Sequence, residues 1–133
     1  MRLNALITLL ALLCSLPLQA TELNGSWQLV EGEYLDADGK MVSYQDVGMS
    51  AQKVLSDQHF SFTSMRGDKF WAAGSGSYSA KAGLYTETLA LNSFGEAKGA
   101  QFSFRYKVEN GVWTNSRWKE GKRVEHEVWR KLD

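Results

Sequence analysis

A glutamate lies among aromatic and aliphatic residues in one of the most regular stretches of the chain. Glu87 is in phase with Tyr85, Leu89 and Leu91, and smaller residues lie between them. Because successive side chains of a β-strand point to opposite faces, the apolar face should turn into the protein and take Glu87 with it. A buried carboxylate is costly unless it is paired or hydrogen-bonded. We therefore predict a cationic partner, and Arg117, which is in phase with two other residues of a later strand, is the natural one.

The C-terminal run carries a second candidate, Glu127. Its residues separate into two faces, and the alternation by itself allows either face to be the inner one. One face holds two carboxylates, an indole and a lysine, namely Glu125, Glu127, Trp129 and Lys131. The other face holds Val124, His126, Val128 and Arg130. From the residues alone, both orientations remain open.

If these charged side chains face inward, the sequence predicts a ligand pocket. Glu87, Glu127 and Arg117 would form a polar patch, and ligand sites typically combine a few such groups with apolar walls. The predicted walls are four aromatic residues, Tyr78, Tyr85, Trp113 and Trp129. A second interpretation has the same charged residues forming a buried ion pair that closes one end of the fold, because buried ionic groups in small domains are often only structural.

Other kinds of chemistry find little support in the sequence. His59 and His126 are the two histidines, and no His, Cys or Asp cluster has the spacing of a zinc site. The serines of residues 74–77 lie within a strand pattern and not at the strand-to-helix turn of a hydrolase nucleophile. We predict no catalytic residue, no metal and no cofactor, and an enzyme is the least supported class.

The elements that position these residues are short β-strands. About nine runs of period-two alternation are joined by tight turns, of which Asn110-Gly111 is the strongest hairpin signal. Gly74 and Gly76 interrupt one long run and predict a bulge or bend there. Mostly sequential hairpins favour an all-β, up-and-down antiparallel barrel of about eight to ten strands over a sandwich.

The first twenty residues read as a secretory signal peptide. A positive charge at Arg2 precedes an apolar run, and the segment ends on a small residue, which predicts cleavage after Ala20. The run is too short for a transmembrane anchor, which needs about 20 apolar residues. Cys14 lies in this run after a bulky leucine, a poor context for lipid attachment. Residues 21–133 are then a single domain, periplasmic or secreted.

Charge and cysteine content narrow the environment and the partners. Fifteen basic and fifteen acidic residues balance, and the single cysteine, Cys14, lies in the predicted leader. A balanced chain lacks the concentrated basic field that nucleic acid or an anionic membrane would require. A domain exported without disulfides suits a bacterial periplasm better than an animal extracellular space.

Gly25-Ser26-Trp27 resembles the start of the first strand in the lipocalin and calycin superfamily. The resemblance implies a barrel in which a basic residue of the last strand, Arg130 or Lys131, packs across Trp27. The resemblance also implies that Glu127 and Trp129 face the interior of the barrel. The chain is similar to small bacterial secreted lipocalin-like proteins through four segments, His59-Phe60-Ser61, Gly74 to Tyr78, Tyr85-Thr86-Glu87 and Glu127-Val128-Trp129. It is shorter than a typical lipocalin and lacks the disulfides and C-terminal helix, which argues against vertebrate-style retinoid carriage.

Two functions follow as expectations. The first is binding of a small hydrophobic or amphipathic ligand inside the barrel. The alternative is a protein-interaction module, such as a secreted inhibitor or envelope stress factor, with a barrel filled by its own side chains. Adjacent Phe70 and Trp71 favour this alternative, because one of them must face outward on a strand and an exposed aromatic patch suits a protein partner.

Overall fold

The computed structural model describes residues 21–133. The predicted signal peptide, its cleavage site and Cys14 lie outside the described residues. A short 3-10 turn, Thr21–Leu23, precedes nine strands. The strands are β1 (Gly25–Leu35), β2 (Met41–Ser43), β3 (Met49–Leu55), β4 (His59–Arg66), β5 (Lys69–Lys81), β6 (Leu84–Asn92), β7 (Gln101–Glu109), β8 (Val112–Lys119) and β9 (Lys122–Lys131).

The strands form a closed antiparallel barrel. They are hydrogen-bonded in the order β2-β1-β3-β4-β5-β6-β7-β8-β9, and β1 also pairs with β9. Eight strands therefore complete the cylinder, and β2 is an extra strand that pairs with the C-terminal part of β1. The prediction of an all-β, up-and-down barrel is confirmed. Within residues 21–133, no helix is long and apolar enough to cross a membrane.

A bulge lies opposite the two glycines that interrupt β5, in the neighbouring strand β6, where Ala90 has no partner in β5. The β5–β6 register shifts between Ser75 and Gly76. A Cβ on Gly76 would lie 2.0 Å from the carbonyl oxygen of Thr88, so only glycine allows this approach of the two backbones. The shift has a second effect, because Leu91 is 72% exposed although the alternation predicts that it faces inward with Leu89. The strand changes phase at the bulge, which period-two counting cannot foresee.

One end of the barrel is closed by its own side chains. Leu23 and Trp27 are fully buried, and the Trp27 indole N–H donates a hydrogen bond to the Leu23 carbonyl at 2.9 Å. The Lys131 ammonium lies 5.3 Å from the centre of the Trp27 ring and donates to the Asn24 carbonyl at 2.6 Å. Arg130, the other basic residue considered for this contact, is exposed.

Gly25 occupies a special position at the same closed end. Its φ of +115° belongs to a region that favours glycine, and an added Cβ would lie 2.7 Å from a carboxylate oxygen of Asp133. That carboxylate accepts a hydrogen bond from the Ser26 backbone N–H at 2.9 Å. The start of β1 and the C-terminus of the chain are therefore held together where the barrel closes.

Candidate ligand-binding cavity

The opposite end of the barrel contains a cavity of about 320 Å³ that opens to solvent. The β4–β5, β6–β7 and β8–β9 connections all lie at this end. Eight aromatic residues line the cavity: Tyr34, Tyr44, Phe62, Trp71, Phe94, Phe102, Phe104 and Trp129. The charged residues in the wall are Lys53, Glu87, Glu96, Arg117, Glu125 and Glu127. This end of the barrel is thus not filled by its own side chains.

A buried ion pair lies deep in the cavity. The Lys53 ammonium is 2.7 Å from Glu87 Oε1, and both residues are buried. The Tyr85 hydroxyl donates to the same carboxylate oxygen at 2.9 Å. Burial disfavours the ammonium form, but the carboxylates of Glu87 and Glu127 outweigh it and raise the pKa of Lys53.

Aromatic rings surround the Lys53 ammonium. Its nitrogen lies 4.9 Å from the Trp129 ring centre, 5.2 Å from that of Trp113, 5.5 Å from that of Tyr85 and 5.9 Å from that of Phe62. The negative faces of such rings attract cations, most strongly when water is excluded. This interior therefore suits positive charge.

Arg117 does not pair with Glu87 or Glu127, so the predicted pairing is wrong. Its Nε donates to Glu125 Oε2 at 2.9 Å, and its guanidinium lies 5.5 Å from the Phe102 ring centre. The reason is register: Arg117 is directly opposite Glu125 across β8 and β9, next to a register shift that leaves Val124 without a partner. Opposite charges in facing positions of neighbouring strands interact favourably.

Glu127 forms no ion pair with the described residues, whereas Glu87 and Glu125 each form one. It is 8% exposed, and its Oε2 accepts a hydrogen bond from the Trp129 indole N–H at 2.9 Å. Within residues 21–133, no lysine, arginine or histidine nitrogen lies within 4.0 Å of the carboxylate. Its other oxygen, Oε1, accepts no hydrogen bond from the described residues. The inward orientation of this strand face agrees with the one that the lipocalin resemblance favours.

The pKa values of two neighbouring groups are raised by burial and by these carboxylates. Burial, followed by the charge of Glu127, raises the pKa of Glu125 to about 7, and Arg117 opposes this shift. Burial, with Glu127 and Glu125 adding to it, also raises the pKa of Tyr44 above its usual range. Tyr44 stacks on Tyr34, with the ring centres 5.4 Å apart. Around neutral pH, Tyr44 therefore keeps its proton.

The seven residues predicted for the pocket lie at three levels of the barrel. Glu87, Glu127, Arg117 and Trp129 line the cavity. Tyr85 and Trp113 are fully buried in a layer beneath it, in edge-on contact with ring centres 5.0 Å apart. Tyr78 lies towards the closed end, where its hydroxyl donates to the Ser56 carbonyl at 2.8 Å. Whether any of the seven contacts a ligand remains a prediction.

Sequence reasoning missed Lys53, the central cation of the site. The residue is in phase with Ala51 and Leu55 in β3, which is the only signal that it faces inward. That signal is weak, because Val54 on the opposite face is also apolar and is in fact 52% exposed. An isolated lysine in a short strand looks like a solvated surface residue.

The two histidines lie apart from the cavity wall. His59 is exposed, and His126 Nδ1 lies 2.9 Å from the Ser116 hydroxyl. Across the part of the chain that the structure describes, no three His, Cys, Asp or Glu side chains are grouped as they would be around a metal ion.

Comparison with known proteins concerns the fold. No protein-family model matches the chain, and no curated protein matches it. A lipocalin-like protein from Bacteroides uniformis ATCC 8492 shares 23% identity with a TM-score of 0.53, over 84% of this chain and 99% of that one. An uncharacterized protein from Bacteroides eggerthii DSM 20697 shares 18% identity with a TM-score of 0.49, over 83% and 99% of the two chains.

Fold and cavity together define the class. The closed eight-stranded cylinder with the extra strand β2, together with the first of these structures, shows that the fold is a lipocalin-like β-barrel. Its particular features are an aromatic cavity at one end and a buried lysine–glutamate pair on the cavity floor.

Proposed function

We propose that this protein is an exported, lipocalin-like binding protein that holds a small, partly apolar ligand in its cavity. The observation that carries the proposal is the cavity itself, with aromatic walls and a few charged groups. Its volume of about 320 Å³ is at the lower end of the range of roughly 300–1,000 Å³ for ligand sites.

The cellular part of the proposal depends on the sequence. Residues 1–20 have the charge, the apolar run and the small final residue of a signal peptide. The absence of cysteine from residues 21–133 favours a bacterial periplasm. Membership of the calycin superfamily is likewise proposed, on the Gly25-Ser26-Trp27 motif and on Lys131 beside Trp27.

A cavity-filling substitution tests ligand binding. Ala51 is buried in the cavity wall, and Ala51→Phe would place a ring in the space that we assign to the ligand. Val54→Phe, on the outer face of the same strand, is the matched control. The fluorescence of the neutral probe N-phenylnaphthylamine should increase when it binds to the wild type or to Val54→Phe. Its dissociation constant should be about tenfold higher for Ala51→Phe.

Native mass spectrometry of protein isolated from its own host complements the probe experiment, because a bound compound would appear as added mass. The proposal fails if the wild type binds no neutral aromatic probe and carries no added mass. It also fails if Ala51→Phe binds the probe as tightly as the wild type, because the probe would then be bound elsewhere.

A protein-interaction module is the second candidate. Phe70 is 58% exposed and Trp118 is 55% exposed, each next to a turn at the open end. Serine substitutions at these two positions should abolish crosslinking to a specific envelope protein. Serine substitutions at Leu84 and Val112, which are exposed near turns at the closed end, should not. Equal crosslinking by the two double variants would count against this candidate.

A further inference from the structure

The charges in the cavity do not balance. Lys53 pairs with Glu87, and Arg117 pairs with Glu125, so the two cations of the site are each matched by one carboxylate. Glu127 is left over, and Glu96 adds a further acidic side chain to the wall. With all of these groups ionised, the cavity carries net negative charge.

Glu127 is also the buried carboxylate of the cavity that has no ion pair within residues 21–133. It is more than nine-tenths buried, and the Trp129 indole supplies its only hydrogen bond from the described residues. A buried carboxylate normally requires a cation or several donors. Its free oxygen belongs to a side chain of the cavity wall, so a ligand in the cavity can reach it.

We infer that the ligand is a small organic cation, a protonated amine attached to an apolar group, whose ammonium pairs with Glu127. This inference rests on the proposed binding function and specifies the class of ligand. The apolar group would lie against the aromatic walls towards the mouth, where Trp71 and Phe94 are partly exposed.

An anionic ligand fits the same site poorly. Its carboxylate would have to displace Glu87 from Lys53 or Glu125 from Arg117, since these are the two cations in the wall. It would also add a like charge beside Glu127. An ammonium breaks neither ion pair, and it would find the Trp129 ring in the cavity wall beside Glu127.

Protonation of the neighbouring Glu125 opposes binding of the ammonium, because it removes a negative charge from the cavity. The titratable groups that line the cavity together with Glu125 and Glu127 are Lys53 from β3, Glu87 from β6, Arg117 from β8, Tyr34 from β1, and Tyr44 and Glu96 from the connections. Because Glu125 titrates near neutrality, deprotonation adds a second negative charge next to Glu127 as the pH rises. Affinity for an amine should therefore increase severalfold from about pH 5 to about pH 8.

Three ligands of matched shape test the inference: naphthylmethylamine, naphthylmethanol and naphthoate. They share one ring system and differ in charge. The wild type should bind the amine about tenfold more tightly than the alcohol, and the carboxylate most weakly. Glu127→Gln should remove the preference for the amine while retaining binding of the alcohol, because the glutamine oxygen can still accept the Trp129 hydrogen bond. Glu109→Gln, on the exposed surface, is the control and should behave as the wild type.

The outcomes separate the two proposals. If the alcohol or the carboxylate binds as tightly as the amine, the inference is overturned and the binding function stands. If Glu127→Gln keeps the full preference for the amine, the inference is overturned as well. If none of the three ligands binds, the inference fails, and the neutral-probe experiment decides separately whether the cavity binds anything. A thermal melt of each variant establishes that it is folded.

Discussion

The ammonium of Lys53 and the carboxylate of Glu87 meet at 2.7 Å inside the barrel, although their strands β3 and β6 are not neighbours. The pair therefore links two sides of the cylinder through its interior. It separates the aromatic layer formed by Tyr85 and Trp113 from the cavity above. This position makes the pair part of the floor of the proposed binding site as well as a structural element.

Removing one partner of this pair should be more harmful than removing both. Lys53→Met leaves Glu87 buried without its cation, and the expected loss in the free energy of unfolding is about 3–5 kcal/mol. The double variant Lys53→Met, Glu87→Leu should recover most of that loss because no unpaired charge remains. Urea unfolding measures both. Lys107→Met, which breaks an exposed ion pair, should leave the unfolding midpoint unchanged. Equal destabilisation by the single and double variants would contradict the prediction.

Lys131 should contribute to stability where Arg130 does not. Lys131→Met keeps the apolar stem but removes the ammonium from the Trp27 ring and from the Asn24 carbonyl, and a loss of about 1–2 kcal/mol is expected. Arg130→Met is the matched control on the adjacent, exposed position. Thermal or urea unfolding distinguishes them, and a larger effect at Arg130 would refute this account of barrel closure.

Stability should fall as the pH rises through neutrality. The folded protein raises the pKa of Glu125 to about 7, above the ordinary value of 4.5. The folded state then holds more protons than the unfolded state between these values, so the free energy of unfolding decreases with pH across that window, by roughly 1–3 kcal/mol. Urea unfolding at about pH 5 and about pH 8 measures the change.

Glu125→Gln should flatten this pH dependence. Glu109→Gln should not, because Lys107 lowers the pKa of Glu109 and moves its titration below the window. A wild-type protein that becomes more stable between pH 5 and 8 would refute the assignment to Glu125.

The two glycines of β5 should differ in their tolerance of a methyl group. In Gly76→Ala the new Cβ would meet the Thr88 backbone carbonyl at 2.0 Å, which the sheet cannot relieve without losing the bulge. In Gly74→Ala the nearest atom, at 2.7 Å, belongs to the Phe62 side chain, which can rotate. We expect a loss of about 3 kcal/mol or more for Gly76→Ala and a smaller one for Gly74→Ala in urea unfolding. The reverse order would show that the bulge is not the constraint.

Much of the fold is already present in the sequence. The alternation at Tyr85, Glu87 and Leu89 indicates a half-buried strand, and Asn110-Gly111 marks a hairpin, because both signals are local. A succession of such hairpins allows few architectures other than an up-and-down barrel. The inward orientation of Glu87 followed from the same reasoning.

The composition of the cavity was decided by tertiary structure. The alternation within a strand tells which face of that strand a side chain is on. It does not tell at which level along the barrel axis the side chain lies relative to strands across the barrel, and it does not locate bulges. The sequence therefore could not pair Lys53 with Glu87 across 34 residues, or Arg117 with Glu125 beside a register shift. Only the closed cylinder brings these strands to one level, and that level leaves Glu127 facing the cavity without a cation.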